Sequence, residues 1–119
     1  MTTIYHIISR PVWDAAQRAG SYHAASLDSE GFFHLSDAEQ VIRVANAFYS
    51  GQTDLLLLVV DTDKVTAELR YEPPAEAPES SERFPHIYGE LNLDAVVRAV
   101  EFPPDAQGRW SALPPSATD

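Results

Sequence analysis

A single compact α+β domain, with a bent or split mixed sheet and two main helices, is predicted by three features of this sequence. The run Leu55-Leu56-Leu57-Leu58-Val59-Val60 is uninterrupted and apolar, with the length and flanks of a strand buried on both faces. Two amphipathic stretches, near residues 11–20 and 37–51, each end in glycine. The order strand, helix, polar-rowed strand, helix and then mostly strands places helices on a sheet. The 119 residues, 45% hydrophobic and 22% charged, allow one real core and are too few for two comfortable ones. The domain is expected over residues 1–102, with a loosely ordered tail over 103–119.

Ile4 to Ile8 reads as the opening strand, with Ile4, His6 and Ile8 on one face and Tyr5 and Ile7 on the other. Pro11 is tolerated in a first helical turn, Val12, Trp13, Ala16 and Ala19 supply an apolar face, and Gly20 stops the helix. Residues 21–28 lack clear periodicity and read as a connection or irregular strand leading to the turn at Gly31. In Phe32 to Ser36, alternation sets Phe32, His34 and Ser36 opposite Phe33 and Leu35. Ser36 with Glu39 has the spacing of a capping box, opening a helix whose stripe is Ala38, Val41, Ile42, Ala45, Phe48 and Tyr49, with Gly51 as its C-terminal cap.

The apolar run should be the centre of the sheet. Val65, Ala67, Leu69 and Tyr71 alternate with polar residues as a strand with one wet face. Residues 73–82, rich in Pro, Glu, Ala and Ser, read as a mobile loop. Phe84 to Gly89 resumes order, with Phe84, His86 and Tyr88 on one side and Pro85 suggesting a strand start or an edge. Residues 91–95 suit a turn and residues 96–102 a last strand. In the tail, only Trp110 offers much area for docking.

A formal net charge of −10 disfavours duplex nucleic acid, whose binding relies on clustered Lys and Arg. It does not disfavour one small anionic ligand. No apolar run approaches the roughly 20 residues of a membrane helix, and the N-terminus lacks the pattern of a secretory leader. Cytoplasmic residence, no membrane partner, and a monomer or small homo-oligomer are the expectations. With no cysteine, thiolate ligands and a Cys nucleophile are excluded.

Three of the four histidines, His6, His34 and His86, fall in predicted strands beside apolar residues. Each alone is equally well read as a half-buried imidazole bonded to backbone. Together with Ser36 and Tyr88 they are the makings of a polar cleft in an apolar sheet. No His-x-His or His-Glu-x-x-His spacing is present, so no metal is expected, and no Gly-x-Ser-x-Gly turn marks a nucleophile. Tyr22, Tyr88 and Trp13 could stack on a planar ligand or simply pack. Glu30 and Glu90 are candidate acids, although a Glu beside a turn is most often solvated.

Ile4-Tyr5-His6-Ile7, Tyr22, Ser26-Leu27, Glu30-Gly31-Phe32-Phe33-His34-Leu35-Ser36, Gln40-Val41 and Phe84-Pro85-His86-Ile87-Tyr88-Gly89 together resemble the bacterial family of unknown function numbered 952, over residues 4–102. That family is similar in fold to the ADP-ribosyltransferases and the NAD-dependent RNA 2'-phosphotransferases, whose split sheet cradles NAD. The resemblance implies an ADP-ribosyltransferase-like fold and NAD, or a related nucleotide, as a small-molecule substrate. It sets His6 against the ribose, His34 and Ser36 on the nicotinamide side, and His86 to Glu90 on the strand of the third motif. His6, His34 and His86 are thereby the implied catalytic residues, and His6, Tyr22, Ser26, Ser36 and Tyr88 the implied nucleotide contacts.

The chain departs from the family where it reads Gly89-Glu90-Leu91 instead of Gly-Pro-Leu. Arg10, Arg43, Arg70 and Arg83 do not reproduce the phosphotransferases' arginine set. Three readings follow: transferase-like chemistry on a nucleotide, a noncatalytic small-molecule or protein binding module, and a His-lined metal hydrolase.

Overall fold

The opening strand, β1 (Thr3–Ser9), pairs antiparallel along its whole length with β4 (Leu55–Asp61), and β4 pairs on its other side with β8 (Val96–Glu101). All seven residues of β4 are buried, as a central strand with two apolar faces requires. The structure, a computed structural model, describes residues 2–117. Met1, in the expected domain, and Thr118 and Asp119, in the expected tail, lie outside the described residues.

Side-chain alternation on β1 and β4 divides the interior into two cores. Ile4, Ile8, Leu56, Leu58 and Val60 face one core, with Trp13 and Ala16 of helix α1 (Arg10–Ala19). Tyr5, Ile7, Leu55, Leu57 and Val59 face the other, with Val41 and Ala45 of helix α3 (Val41–Phe48). Between those helices lie β2 (Ser21–Tyr22), the five-residue helix α2 (Ala25–Ser29) and β3 (Phe33–His34). After β4 come β5 (Glu68–Glu72), β6 (Phe84–Tyr88) and β7 (Leu91–Asn92). They form a second three-stranded sheet, β3–β6–β5, and a two-stranded one, β2–β7.

The sheet is therefore split, as expected, but every pairing among the described residues is antiparallel, so it is not mixed. The two three-stranded sheets meet at one bridge. Tyr5 and Ser36 exchange both main-chain hydrogen bonds, each 2.8 Å. Past that point β1 and β3 diverge.

Several expectations are corrected. Ser36 does not cap a helix, because its backbone is committed to Tyr5; α3 begins at Val41 with Gln40 as its first flanking residue. The Gln40 side chain instead accepts from Asp37 N–H at 2.9 Å and donates to the Arg83 carbonyl at 2.7 Å, which ties the helix entry to the strand β6 approach. Gly51 lies beyond the end of α3, whose last flanking residue is Tyr49. Ala38, Phe48 and Val12, assigned to apolar stripes, are exposed. Residues 21–28, read as a connection or irregular strand, do begin with the two-residue strand β2, but they also supply most of α2, which was not expected.

Pro85 sits in the central strand of its sheet, not at an edge. Its carbonyl accepts from Leu35 N–H at 3.1 Å, and in an antiparallel strand a residue's N and C=O point to the same side. Its missing N–H thus falls where the short β3 ladder is already ending, and the ladder to β5 is intact.

The tail is docked. Trp110 is 5% exposed, stacks on Phe102 and donates from Nε1 to the Phe102 carbonyl at 3.1 Å. Asn46 clasps the backbone of Trp110 from α3 at 2.9 and 3.0 Å, and the Tyr5 hydroxyl donates to the Ala117 carbonyl at 3.0 Å. Residues 74–80 make successive turns, with Ala77 N–H on the Pro74 carbonyl and Ser80 N–H on the Ala77 carbonyl.

Two glycines are required by geometry. Gly20 ends α1 at φ 84°, a left-handed conformation that side chains resist. At Gly89 a β-carbon would lie 2.8 Å from that of Ala67, so the backbones could not keep their approach with any larger residue.

Candidate functional site

Where the two sheets part, they leave a cavity of about 400 Å³. It is lined by the two bridge residues, Tyr5 and Ser36, with Leu35 beside them, and by His6, His34 and His86. Aromatic walls come from Phe48 and Tyr49 at the end of α3 and from Phe84 on β6, and the turn at Pro74–Glu76 closes one side. Three imidazoles far apart in the chain are thus brought to one hollow. Of the other anticipated residues, Ser26 and Ser36 line it as well, whereas Tyr22 and Tyr88 do not; the Tyr22 hydroxyl meets His6, and the Tyr88 hydroxyl meets Glu72.

Each imidazole has a different setting. The β1–β4 register directs the main-chain groups of even-numbered β1 residues to β4, and those of Tyr5 and Ile7 to the opposite side. Tyr5 meets Ser36; Ile7, two residues on, faces the gap. His6 bridges that gap with its side chain: Nδ1–H donates to the His34 carbonyl at 2.8 Å, which leaves Nε2 to accept from the Tyr22 hydroxyl at 3.4 Å. The ring packs on Phe33, centroids 4.5 Å apart. Burial pushes the His6 imidazole down to about 4, and burial likewise pushes the Tyr22 phenol up to about 12. His6 is therefore a neutral strut.

His34 sits directly across from His86 in the β3–β6 register, ring centroids 5.3 Å apart. Its Nε2 is 2.8 Å from a Glu30 oxygen, so Glu30 belongs to the site and is not merely a solvated acid beside a turn. His86 is only 2% exposed. Phe32 stacks on its face at 4.2 Å, and Nδ1 lies 2.9 Å from Glu72 Oε1. The same oxygen accepts from the Tyr88 hydroxyl at 2.5 Å, with the Arg70 guanidinium 4.7 Å above the Tyr88 ring. These hydrogen bonds, from Tyr88 first and His86 second, hold the Glu72 carboxyl below its ordinary range.

Glu72 was not among the sequence candidates. Alternation puts it on the wet face of its strand, but only the β5–β6 register sets it beside His86 and Tyr88. Phe48, 64% exposed and set at the cavity, was taken for core. His23 takes no part: it spans Asp28 and Glu90, each 2.9 Å away, and these two carboxylates raise its pKa. Glu90 is thereby accounted for as a partner of His23 outside the cavity.

Among the described residues, no group of three or more His, Asp or Glu side chains is arranged to hold a metal ion. No Lys or Arg among the described residues lines the cavity. No helix among the described residues is long and apolar enough to cross a membrane.

No curated protein matches the chain. Among solved structures, the X-ray structure of protein CC0527 from Caulobacter crescentus has a TM-score of 0.80 at 36% identity, covering 91% of this chain and 92% of that one. A double-mutant form of the same protein superposes equally well. Its solution NMR structure gives 0.76 at 37% identity, covering 92% and 91%. Residues 7–99 match the family described as "Protein of unknown function (DUF952)", and with so much of its length inside that match the chain belongs to this family.

Proposed function

We propose that the cavity binds the nicotinamide–ribose half of NAD, or of a related nucleotide, and that the domain carries ADP-ribosyl- or phosphotransferase-like chemistry on a split sheet of that kind. The observation that carries this reading is the convergence of His6, His34 and His86, with Ser26 and Ser36, on one hollow between two sheets. Phe48, Tyr49 and Phe84 supply flat apolar surface for a pyridine ring. The main-chain N–H and C=O of Ile7, turned away from β4, suit a carboxamide. His34 with Glu30, together with the serine hydroxyls, suits ribose hydroxyls. Holding the ribose while the ring departs is positioning and charge stabilisation, the work such a preorganised polar wall performs.

Calorimetric titration with NAD, ADP-ribose and nicotinamide tests the reading. Saturable heat with NAD and nicotinamide, weakened at least about tenfold by His34→Ala, is expected. No heat at millimolar ligand would remove it.

A second reading, a noncatalytic small-molecule binding module, is favoured by the cavity wall, which offers no guanidinium or ammonium to a diphosphate. Nucleotide binding with no release of nicotinamide would decide for that reading.

A further inference from the structure

His34 and His86 each hold a carboxylate through one ring nitrogen and leave the other without a protein partner among the described residues, but His34 is exposed and His86 is buried. In His86, Nδ1 is held by Glu72, while Nε2 has no protein partner among the described residues. No fully enclosed side-chain nitrogen or oxygen among the described residues lacks a partner, so Nε2 keeps a small contact with solvent although the residue is only 2% exposed, and His86 lines the cavity. The ring cannot easily turn away. Phe32 lies against it at an interplanar angle of 25°, and Glu72 is itself fixed by Tyr88. An ionised carboxylate accepting from Nδ1–H selects the tautomer whose Nε2 carries the lone pair. His6 offers no such nitrogen, because both of its own are occupied; His34, bonded to Glu30 through Nε2, is exposed where His86 is enclosed.

We propose that His86 and Glu72 form a dyad in which His86 Nε2 is the proton acceptor for a water molecule in the cavity, and Glu72 is the positioning residue that fixes its tautomer. The inference rests on the nucleotide reading for the identity of the electrophile. The water oxygen forms a bond to the ribose carbon that carries nicotinamide; the carbon–nitrogen bond breaks and its electron pair passes to the pyridine nitrogen, which becomes neutral. One water proton goes to His86 Nε2 and is then released to solvent. The balance is NAD and water giving ADP-ribose, nicotinamide and one proton, with no other reactant.

Nitrogen-15 NMR of the imidazoles in the full chain reads the tautomer, and diethylpyrocarbonate labelling with residue-level mass spectrometry reads the free lone pair. The expected results are an Nδ1-protonated His86 that is labelled, loss of that tautomer in Glu72→Ala, and its return in Glu72→Gln, whose carbonyl oxygen still accepts. Nicotinamide release from NAD should fall about 10²–10⁴-fold in His86→Ala with KM little changed. In Glu72→Ala it should fall at least about tenfold. An Nε2-protonated His86 in the wild-type chain, or release at the wild-type rate in His86→Ala, overturns the dyad. If NAD gives neither heat nor release while tautomer and labelling depend on Glu72 as stated, the dyad stands and the nucleotide reading falls. A tautomer indifferent to Glu72 overturns the dyad whatever NAD does.

Discussion

The sheet β1–β4–β8 and the sheet β3–β6–β5 contain the same number of strands and divide the labour of the molecule between them. In the first, β4 is buried over its whole length and both faces feed cores. In the second, Phe33, Ile87 and Leu69 pack toward a core on one face, and the other carries a cross-strand row of His34, His86 and Arg70, with Glu72 beside it. Polar groups are tolerated there because each has a carboxylate partner: His86 has Glu72 across the ladder, Arg70 has Glu68 on its own strand, and His34 has Glu30 from the segment before β3. A strand covered on both faces, such as β4, gives stability, and the first sheet reaches the cavity only through β1, at Tyr5, His6 and Ile7. A sheet covered on a single face can hold titratable groups in register, provided another element anchors it, here through Tyr5 and Ser36.

The widest separation between the two should come from Leu58→Ala in β4. Leu58 is fully buried, and such a truncation removes transfer energy and leaves a void, about 2–5 kcal/mol by chemical denaturation. The fraction that remains folded should still bind the cavity ligand with unchanged affinity. Loss of affinity in folded protein would show that the two sheets do not act separately.

The bridge between them is probed by pH. His6 is neutral in the folded chain down to about 4, whereas in the unfolded chain it takes up its proton near 6.5. The unfolded state therefore binds more protons between these values. The contribution of His6 is fully present above about 6.5, declines as pH falls and is lost through about 4, a decrease of roughly 3 kcal/mol. Denaturation midpoints at pH 7.5 and 4.0 should show this decline in the wild-type chain and a smaller one in His6→Gln.

The smallest effect on stability belongs to Phe48→Ala. The side chain is mostly exposed, so stability should move by no more than about 0.5 kcal/mol. Ligand heat should weaken nonetheless, because the ring forms one wall of the cavity.

Features with a strong local signal could be read from the residues alone. The unbroken apolar run gave β4, strict alternation gave the two faces of β1, and Pro11 and Gly20 bounded α1 to within a residue. What escaped depended on partners distant in sequence. Ser36 has the spacing of a helix cap, but a backbone pairing with Tyr5 31 residues earlier takes precedence. β2 is two residues long and has no period to detect. The three cleft histidines were identifiable by type and strand parity. Their individual states were not, because these are set by the His34 carbonyl, Glu30 and Glu72, each brought in by register or by a turn.

The docked segment beyond β8 bears on how the chain attains its fold. Trp110 and Ala117 are members of the second core, so a polypeptide emerging amino end first leaves Tyr5, Leu57 and Val59 partly uncovered until residues past 110 are available. Cutting the chain at residue 102 would expose that face and invite aggregation. An expression boundary drawn from strand prediction alone would therefore remove the lid of one core while leaving every residue of the cavity in place.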